Sequence, residues 1–420
     1  MLVFVQSNKG NSLMPCSWRK ARLLLKSGKA TIINKKSDSF TIKLLYSTPS
    51  YIQIVQVGVD TGAKFIGIAV RNGINILCTR QINLRTDVSS LLTTRRILRR
   101  SRRQRNTRYR KARFLNRAIP KGWLPPSINS RVNNVANQIN NLLAKFPKTE
   151  LILEVGNFDT QKMNNPNIQG KEYQKGEMFG FDEVKAFVLA RDKYQCQHKS
   201  HISKNPKLHV HHIIFRSLGG TNQPKNLITL CEDCHNNLHQ GLIENTFKKP
   251  KLYLEPPFMN TLKCRFKEYF PNALFCYGYE TKAKRQEMNI AKSHINDAIA
   301  ISFYNNSNNS FTDYNNNQLV MQFRSKKRSL HESIPRKRIG GNTTSQRNNK
   351  NTTEVEGFKL GEQVAFENQL CHISGFTGKS AYLKDKTNNY VKLVGKNYKQ
   401  ISLSKLTKVC YNNNWIVYNV

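Results

Sequence analysis

The chain has 420 residues, 68 of them Lys or Arg and 26 Asp or Glu, for a formal net charge of +42. Charge of that size opposes self-packing and calls for a polyanionic partner. A membrane surface is the competing partner, but no apolar run approaches ~18 residues and no basic amphipathic stretch carries a lipid face. MLVFVQS at the start is too short for the apolar region of a signal peptide. Nine Cys, an odd number with three beside His residues, point to a reducing compartment and to metal rather than disulfides.

Residues 1–51 read as a small α+β unit. A strand at Leu2–Val5 and a turn at Gly10 precede a helix at Trp18–Ser27, with Gly28 as its stop, and a strand follows at Phe40–Leu45. The basic face of that helix is either solvated or in contact with nucleic acid. VQVGVDTGAKFIGIAV, from Val55 to Val70, has period-two apolar runs on either side of a Gly turn and predicts a β-hairpin. Asp60 stands at the end of its first strand, where a buried carboxylate is costly unless it binds something positive. A third strand around Ile74–Leu84 completes an antiparallel opening that fits an RNase H-like fold.

Between Arg95 and Arg117, Arg or Lys fills twelve positions, and no acid occurs between Asp87 and Glu150. Arg95, Arg96, Arg99, Arg100, Arg102, Arg103, Arg105, Arg108, Arg110 and Arg113 would cover every face of a helix. Such a helix cannot bury a stripe in an ordinary core. Interspersed Tyr109 and Phe114 add stacking to phosphate clamping, and RNA or a heteroduplex suits this better than plain duplex DNA. A helix over 127–147 then leads into LILEV, a buried strand carrying Glu154, and 161–180 reads as a polar linker.

Residues 181–241 hold the most specific signal: HHI, a Gly-Gly turn, Asn-Leu before a short strand, then C-x2-C-H-x3-H. This is similar to the HNH, or ββα-metal, nuclease pattern. His211 and His212 are adjacent on a strand and point to opposite faces, so one can ligate a metal while the other faces a scissile phosphate. His235 and His239, at i and i+4 of the closing helix, can share that ion. His212 is the expected general base, and Asn226 is suited to hold the base or a metal-bound water. Cys231, Cys234 and Cys196 are candidate ligands of a structural zinc. Lys199 occupies the place of a fourth Cys, leaving His198, His201 or water as the fourth ligand, or no zinc at all.

Downstream, Ala273–Tyr279 reads as a strand and KRQEMNIAKSHINDAIAISF, residues 284–303, as one helix. His294 and Asp297 sit i, i+3 on it among apolar neighbours, and a buried pair of this kind wants a metal or a partner. Residues 318–350 resemble a basic arm laid on nucleic acid. Residues 357–420 predict a small SH3-like barrel whose strands include YVKLVG and the terminal WIVYNV.

With Ser12-Leu13-Met14-Pro15 standing for a P-L-M-P motif, the order of parts resembles the IscB family, compact transposon-encoded RNA-guided nucleases related to CRISPR effector nucleases. The resemblance implies an α/β multidomain protein: an RNase H-like (RuvC) core split in three, an Arg-rich bridge helix, an inserted HNH module and a small β-barrel-like C-terminal domain. Its divisions are an N-terminal domain (1–51), RuvC I (52–90), bridge helix (91–120), RuvC II (121–160), linker (161–180), HNH (181–241), RuvC III (242–311) and C-terminal domain (312–420). By resemblance Asp60, Glu154, His294 and Asp297 fall on RuvC catalytic positions, with the three acids as Mg2+ ligands, and His212 on the HNH base. The resemblance implies a two-Mg2+ site at those acids and a further Mg2+ in the HNH module. The implied partners of this monomer are an omega-type guide RNA and a double-stranded DNA target with a short flanking motif, in the prokaryotic cytoplasm, nucleoid-associated, or an organellar stroma. The alternatives are a guide-independent HNH or RuvC-type endonuclease and an RNA-guided DNA binder without cleavage.

Overall fold

A computed structural model of the protein describes residues 2–35, 39–49, 51–104, 120–198, 207–250, 255–306, 310–312, 317–323, 337–339, 342–344, 352–393, 395, 397–411 and 415–419. The chain divides into two units: residues 1–157 with 258–420, and residues 158–257. In chain order the first unit opens with β1 (Leu2–Gln6), β2 (Ser12–Ser17), α1 (Trp18–Lys26), β3 (Ala30–Asn34) and β4 (Thr41–Leu44), a sheet of order β2-β1-β4-β3. Ser17 caps α1, its hydroxyl accepting from the Lys20 N–H, and Gly28 at φ +68 follows its end. Ser12–Pro15 lies in β2, a strand that Pro15 hides from a propensity reading.

Next come β5 (Val55–Thr61), β6 (Phe65–Asn72), β7 (Asn75–Asn83), α2 (Val88–Gln104), α3 (Pro126–Leu143) and β8 (Thr149–Glu154). The second unit contains α4 (Thr160–Asn164), α5 (Val184–Arg191), β9 (Leu208–His212), β10 (Leu227–Cys231) and α6 (Glu232–Gln240). The stretch expected as a linker at 161–180 includes most of α4 and a 3₁₀ turn at Gly170–Gln174, both short enough to be set by local caps such as Asp159.

The first unit resumes with α7 (Pro256–Tyr269), β11 (Leu274–Cys276), α8 (Gly278–Glu287), α9 (His294–Ser302) and β12 (Asn317–Gln322). Two short hairpins follow, β13 (Lys337–Ile339) with β14 (Asn342–Thr344) and β15 (Glu354–Val355) with β16 (Phe358–Lys359). The last strands are β17 (Gln363–Phe366), β18 (Gln369–Thr377), β19 (Ser380–Lys384), β20 (Gln400–Ser402), β21 (Thr407–Cys410) and β22 (Trp415–Asn419).

Seven strands form the main sheet, in order β11-β8-β5-β6-β7-β12-β22. β5, β6 and β7 are antiparallel neighbours, β8 runs parallel to β5, and β11 runs parallel to β8. Strand alternation assigns the two faces. Val55, Val57, Val59, Ile66, Ile68, Val70, Leu151 and Leu153 share one core with Val132, Val135, Ile139 and Leu142 of α3 and Phe258, Leu262 and Phe266 of α7. Each fully buried side chain of this size contributes about 1.5–3 kcal/mol, which makes the sheet a rigid base for what stands on its other face. On that other face Ala69 and Ile76 pack with Ala298, Ile299, Ala300 and Phe303, placing α9 against β5 and β6.

Two expectations are corrected. The single helix expected over 284–303 is two, because Asn289 takes a left-handed φ of +51 and Ser293 caps a new helix, accepting from the Asn296 N–H. The C-terminal strands form a five-stranded sheet of order β20-β19-β18-β17-β21 around Val364, Cys371, Ile373, Leu383 and Ile401. WIVYNV is not in it: β22 pairs with β12 in the main sheet, where Ile416 and Tyr418 are buried. YVKLVG contributes only an isolated bridge from Tyr390 to Lys384. Of the expected basic arm, 318–322 belongs to β12 and most of the rest lies outside the described residues.

Two candidate active sites

The acid centre follows from the parity of the sheet. Asp60 is two residues from Gly58 and so shares the α9 face, and it pairs across to Gly67. A Cβ on Gly67 would lie 1.8 Å from the His294 carbonyl oxygen, and one on Gly58 would lie 2.3 Å from that of Ala298. Only glycine at both positions lets α9 lie directly on the strands and bring its first turn to Asp60. Glu154 is one step beyond the last parallel pair, Val59 with Leu153, so it stands beside Asp60 on the same face. The Thr61 hydroxyl donates to the Glu154 carbonyl at 2.5 Å and ties the two strand ends.

His294 Nδ1 donates to Asp60 Oδ2 at 2.5 Å, and this bond holds the imidazolium form, raising the His294 pKa. Burial, then the Asp60 charge, pushes Glu154 up to about 7, although a hydrogen bond from Thr281 partly offsets them. Burial and Asp60 also raise Asp297. Asp297 Oδ1 is 2.8 Å from Arg285 Nε of α8, an ion pair off the line of a hydrogen bond. Three acids packed this close, two of them with raised pKa and steadied by one Arg and one His, are a donor set that fits a divalent cation. The four residues expected from sequence are thus together. Arg285 and Thr281 were missed, since nothing in the sequence says that α8 folds back over the acids.

The histidine centre is built on the β9–β10 hairpin and α6. Among the described residues, His211, His235 and His239 bring ligand nitrogens within 4.8 Å of one another. His211 is 2% exposed, and its Nε2 is buried with no hydrogen-bond partner. Burial first, then the neighbouring imidazoles, lowers its pKa to about 4, and burial also lowers that of His235. Neutral rings with an orphaned buried nitrogen are what a metal ion requires. The trio, His212 and Arg216 line an open cleft of about 360 Å3. His209, two residues before His211 on the same strand face, stacks on His235 at 5.2 Å. The alternation His209–His211 was the available signal for it.

Asn226 corrects the sequence reading. It is fully buried: Oδ1 accepts from the Ile214 N–H at 2.9 Å, and Nδ2 donates to the Ile214 and Thr221 carbonyls at 3.1 and 2.9 Å. With its amide spent on the loop, it holds neither base nor water. Asn222 meets the general-base candidate instead, with Oδ1 3.0 Å from His212 Nε2, and Arg216 Nη2 donates to that same oxygen at 2.9 Å. Two asparagines four residues apart in one loop are indistinguishable by sequence.

Cys196, Cys231 and Cys234 form the second trio with ligand atoms within 4.8 Å. Burial first, then the adjacent sulfurs, pushes the Cys234 thiol up to about 12, so three thiols gather where a cation would stabilise thiolates. His198 is not in that trio; its Nε2 faces the Glu244 carbonyl at 3.4 Å. His201 and Lys199 lie outside the described residues. One nine-residue helix serves both trios, with Cys231 as the N-cap of α6, Cys234 in its first turn, and His235 and His239 beyond.

Arg95, Arg96 and Arg99 are exposed on α2. Arg100, Arg102 and Arg103 also fall within it, and Arg105, Arg108, Arg110 and Arg113 lie outside the described residues.

The chain contains an HNH endonuclease domain: that family's model matches residues 195–241. A second model, that of the RRXRR protein family, matches residues 3–176, and the R-R-x-R-R pattern itself occurs as Arg99 to Arg103. Together the two domains fit an IscB-type nuclease. The type IV methyl-directed restriction enzyme EcoKMcrA of Escherichia coli strain K12 is 37% identical over 62 residues, 13% of this chain and 22% of that enzyme. The chain thus covers about a fifth of that relative's length.

Proposed function

We propose that the protein is an RNA-guided double-stranded DNA endonuclease, with the HNH domain cutting the guide-paired strand and the acid centre cutting the displaced one. The observation that carries this is the presence in one chain of two separate centres, each with ligands and a base for phosphodiester hydrolysis. The acid centre then belongs to an RNase H-like RuvC core interrupted by the second unit. Its strand order supports that: three antiparallel strands, a fourth parallel to the first, a fifth parallel to the fourth, and acids at the ends of the first and fourth.

In this reading Asp60, Glu154 and Asp297 would hold Mg2+ in one centre, whereas the all-imidazole set of His211, His235 and His239 suits a divalent transition metal rather than the Mg2+ expected there. The ions would supply charge stabilisation at the phosphate. Asn222 Oδ1 at 3.0 Å and the Arg216 Nε–H at 3.2 Å both meet His212 Nε2 and fix the ring, and neutral His212 would take the proton of the attacking water through a ring nitrogen. His294 does the same at the acid centre once it has released both its bond to Asp60 and the extra proton that bond holds. Cys196, Cys231 and Cys234 would hold a structural Zn2+. The arginines of α2 suit the backbone of a guide–target heteroduplex, and the C-terminal region would read a short flanking motif.

The test is sequencing of RNA that copurifies with the protein, followed by cleavage assays on DNA complementary to it. Cutting only at matched targets supports the reading. The restriction-enzyme match favours a second reading, a guide-independent endonuclease. Site-specific cutting by RNA-free protein would establish that one instead.

A further inference from the structure

The turn entering α8 carries two tyrosines beside the acid centre that the scheme above leaves without a task. Tyr277 and Tyr279 lie nearly parallel, with ring centroids 6.2 Å apart and planes at 7°, and Tyr279 is 72% exposed. A tyrosine left in water so close to a reactive centre gains nothing from packing, so its face is available to a ligand. Gly278 between them is the link to the acids: a Cβ there would stand 3.2 Å from Glu154 Oε1. Three residues on, Thr281 hydrogen-bonds the Glu154 carboxylate, so this turn is packed against the catalytic acid.

The charges around the pair suit a polyanion. Lys263 Nζ lies 3.4 Å from the Tyr277 hydroxyl and 5.2 Å from its ring centre. Glu280, the acid in the turn, is held by the Tyr277 N–H at 2.7 Å and the Tyr304 hydroxyl at 2.9 Å. Stacked aromatic faces with an ammonium beside them are the recognition chemistry of unpaired nucleobases, because every base offers a π-face and its phosphate offers a charge. Paired bases cannot reach such a surface.

We infer that Tyr277 and Tyr279 form a stacking platform for bases of the single DNA strand whose phosphate is presented to Asp60, Glu154 and Asp297. The platform rests on the reading that the acid centre cuts DNA. It makes Tyr279 a positioning residue: it fixes the strand, and the acids and His294 do the chemistry.

The test combines a binding readout that needs no cleavage with a strand-resolved one. Single-stranded DNA carrying 5-iododeoxyuridine is photo-crosslinked to the full protein without divalent metal, and the modified peptide is identified by mass spectrometry. The expected adduct is on Tyr277 or Tyr279, and adducts confined to other segments overturn the platform. In duplex cleavage, Tyr279→Ala should slow the nick assigned to the acid centre by roughly tenfold, the usual worth of one stacked base, while Tyr279→Phe retains it and the other nick is unchanged. Wild-type rates in Tyr279→Ala, or equal loss in Tyr279→Phe, would overturn the proposal. Asp60→Ala separates the two failures: if it removes one nick while Tyr279→Ala does not slow it, only the platform falls. If it removes neither, the acid-centre reading falls with it.

Discussion

The acid centre concentrates negative charge and the histidine centre strips away positive charge, although both stand at strand ends beside a short helix. Glu154 and Asp297 are pushed toward their protonated forms, and Asp297 and Asp60 borrow Arg285 and His294, so that site is electrostatically incomplete until a cation arrives. His211 and His235 are held neutral and His211 Nε2 has no hydrogen-bond partner, so that site is preformed. A cation should therefore displace protons and rearrange ion pairs at the first site, and simply fill the second. Support differs as well. The acids rest on a large rigid sheet, whereas the imidazoles rest on one hairpin and one helix whose N-terminus also carries two of the three thiols.

The largest expected effect follows from that last difference. Cys231→Ser with Cys234→Ser should lower the thermal stability of the second unit and abolish the cut assigned to the histidine centre, leaving the acid-centre cut in place. Retention of both cuts would show that the thiols do not support α6. The two loop asparagines come next. Asn222→Ala should cost about 10- to 100-fold in the histidine-centre cut with little change in melting, as loss of a group that orients a reactive side chain does. Asn226→Ala should instead lower the melting temperature, since it leaves buried Ile214 and Thr221 groups unpaired, at about 1–3 kcal/mol for each such group.

Smaller is the contrast in pH dependence. Glu154 must lose its proton to bind a cation, so affinity is fully present above its raised pKa and declines below it. Between pH 8 and 6, Mn2+ affinity at the acid centre, measured calorimetrically in His211→Ala protein, should fall about tenfold with proton release on binding. Affinity at the histidine centre, measured in Asp60→Ala protein, should fall less, and the opposite order would break the comparison. Smallest is Arg285→Ala. Removing a cation that competes for Asp297 should tighten metal binding at the acid centre by about three- to fivefold and leave the histidine centre alone.

Much of this was legible in the sequence because it is local. Asp60 ends an alternating strand, His211 and His212 sit in a dense short motif, and the His294–Asp297 spacing survives any assignment of helix ends. What escaped depends on distant pairing or on a local break masked by composition. Asn289 through Ser293 sits between two helical patterns and reads as a continuation, yet the break there lets Arg285 of α8 meet Asp297 of α9. β22 has the same alternation as the strands of the C-terminal sheet, and only the free edge of β12, nearly a hundred residues earlier, draws it away.

The most direct measurement is cleavage of a duplex labelled on each strand by protein carrying its copurified RNA, comparing wild type, Asp60→Ala and His212→Ala. The account predicts complementary nicked products: Asp60→Ala cuts only the guide-paired strand and His212→Ala only the displaced strand, with the silenced cut lowered at least about 10²-fold. Loss of both cuts in either variant, or of neither, would contradict two independent centres.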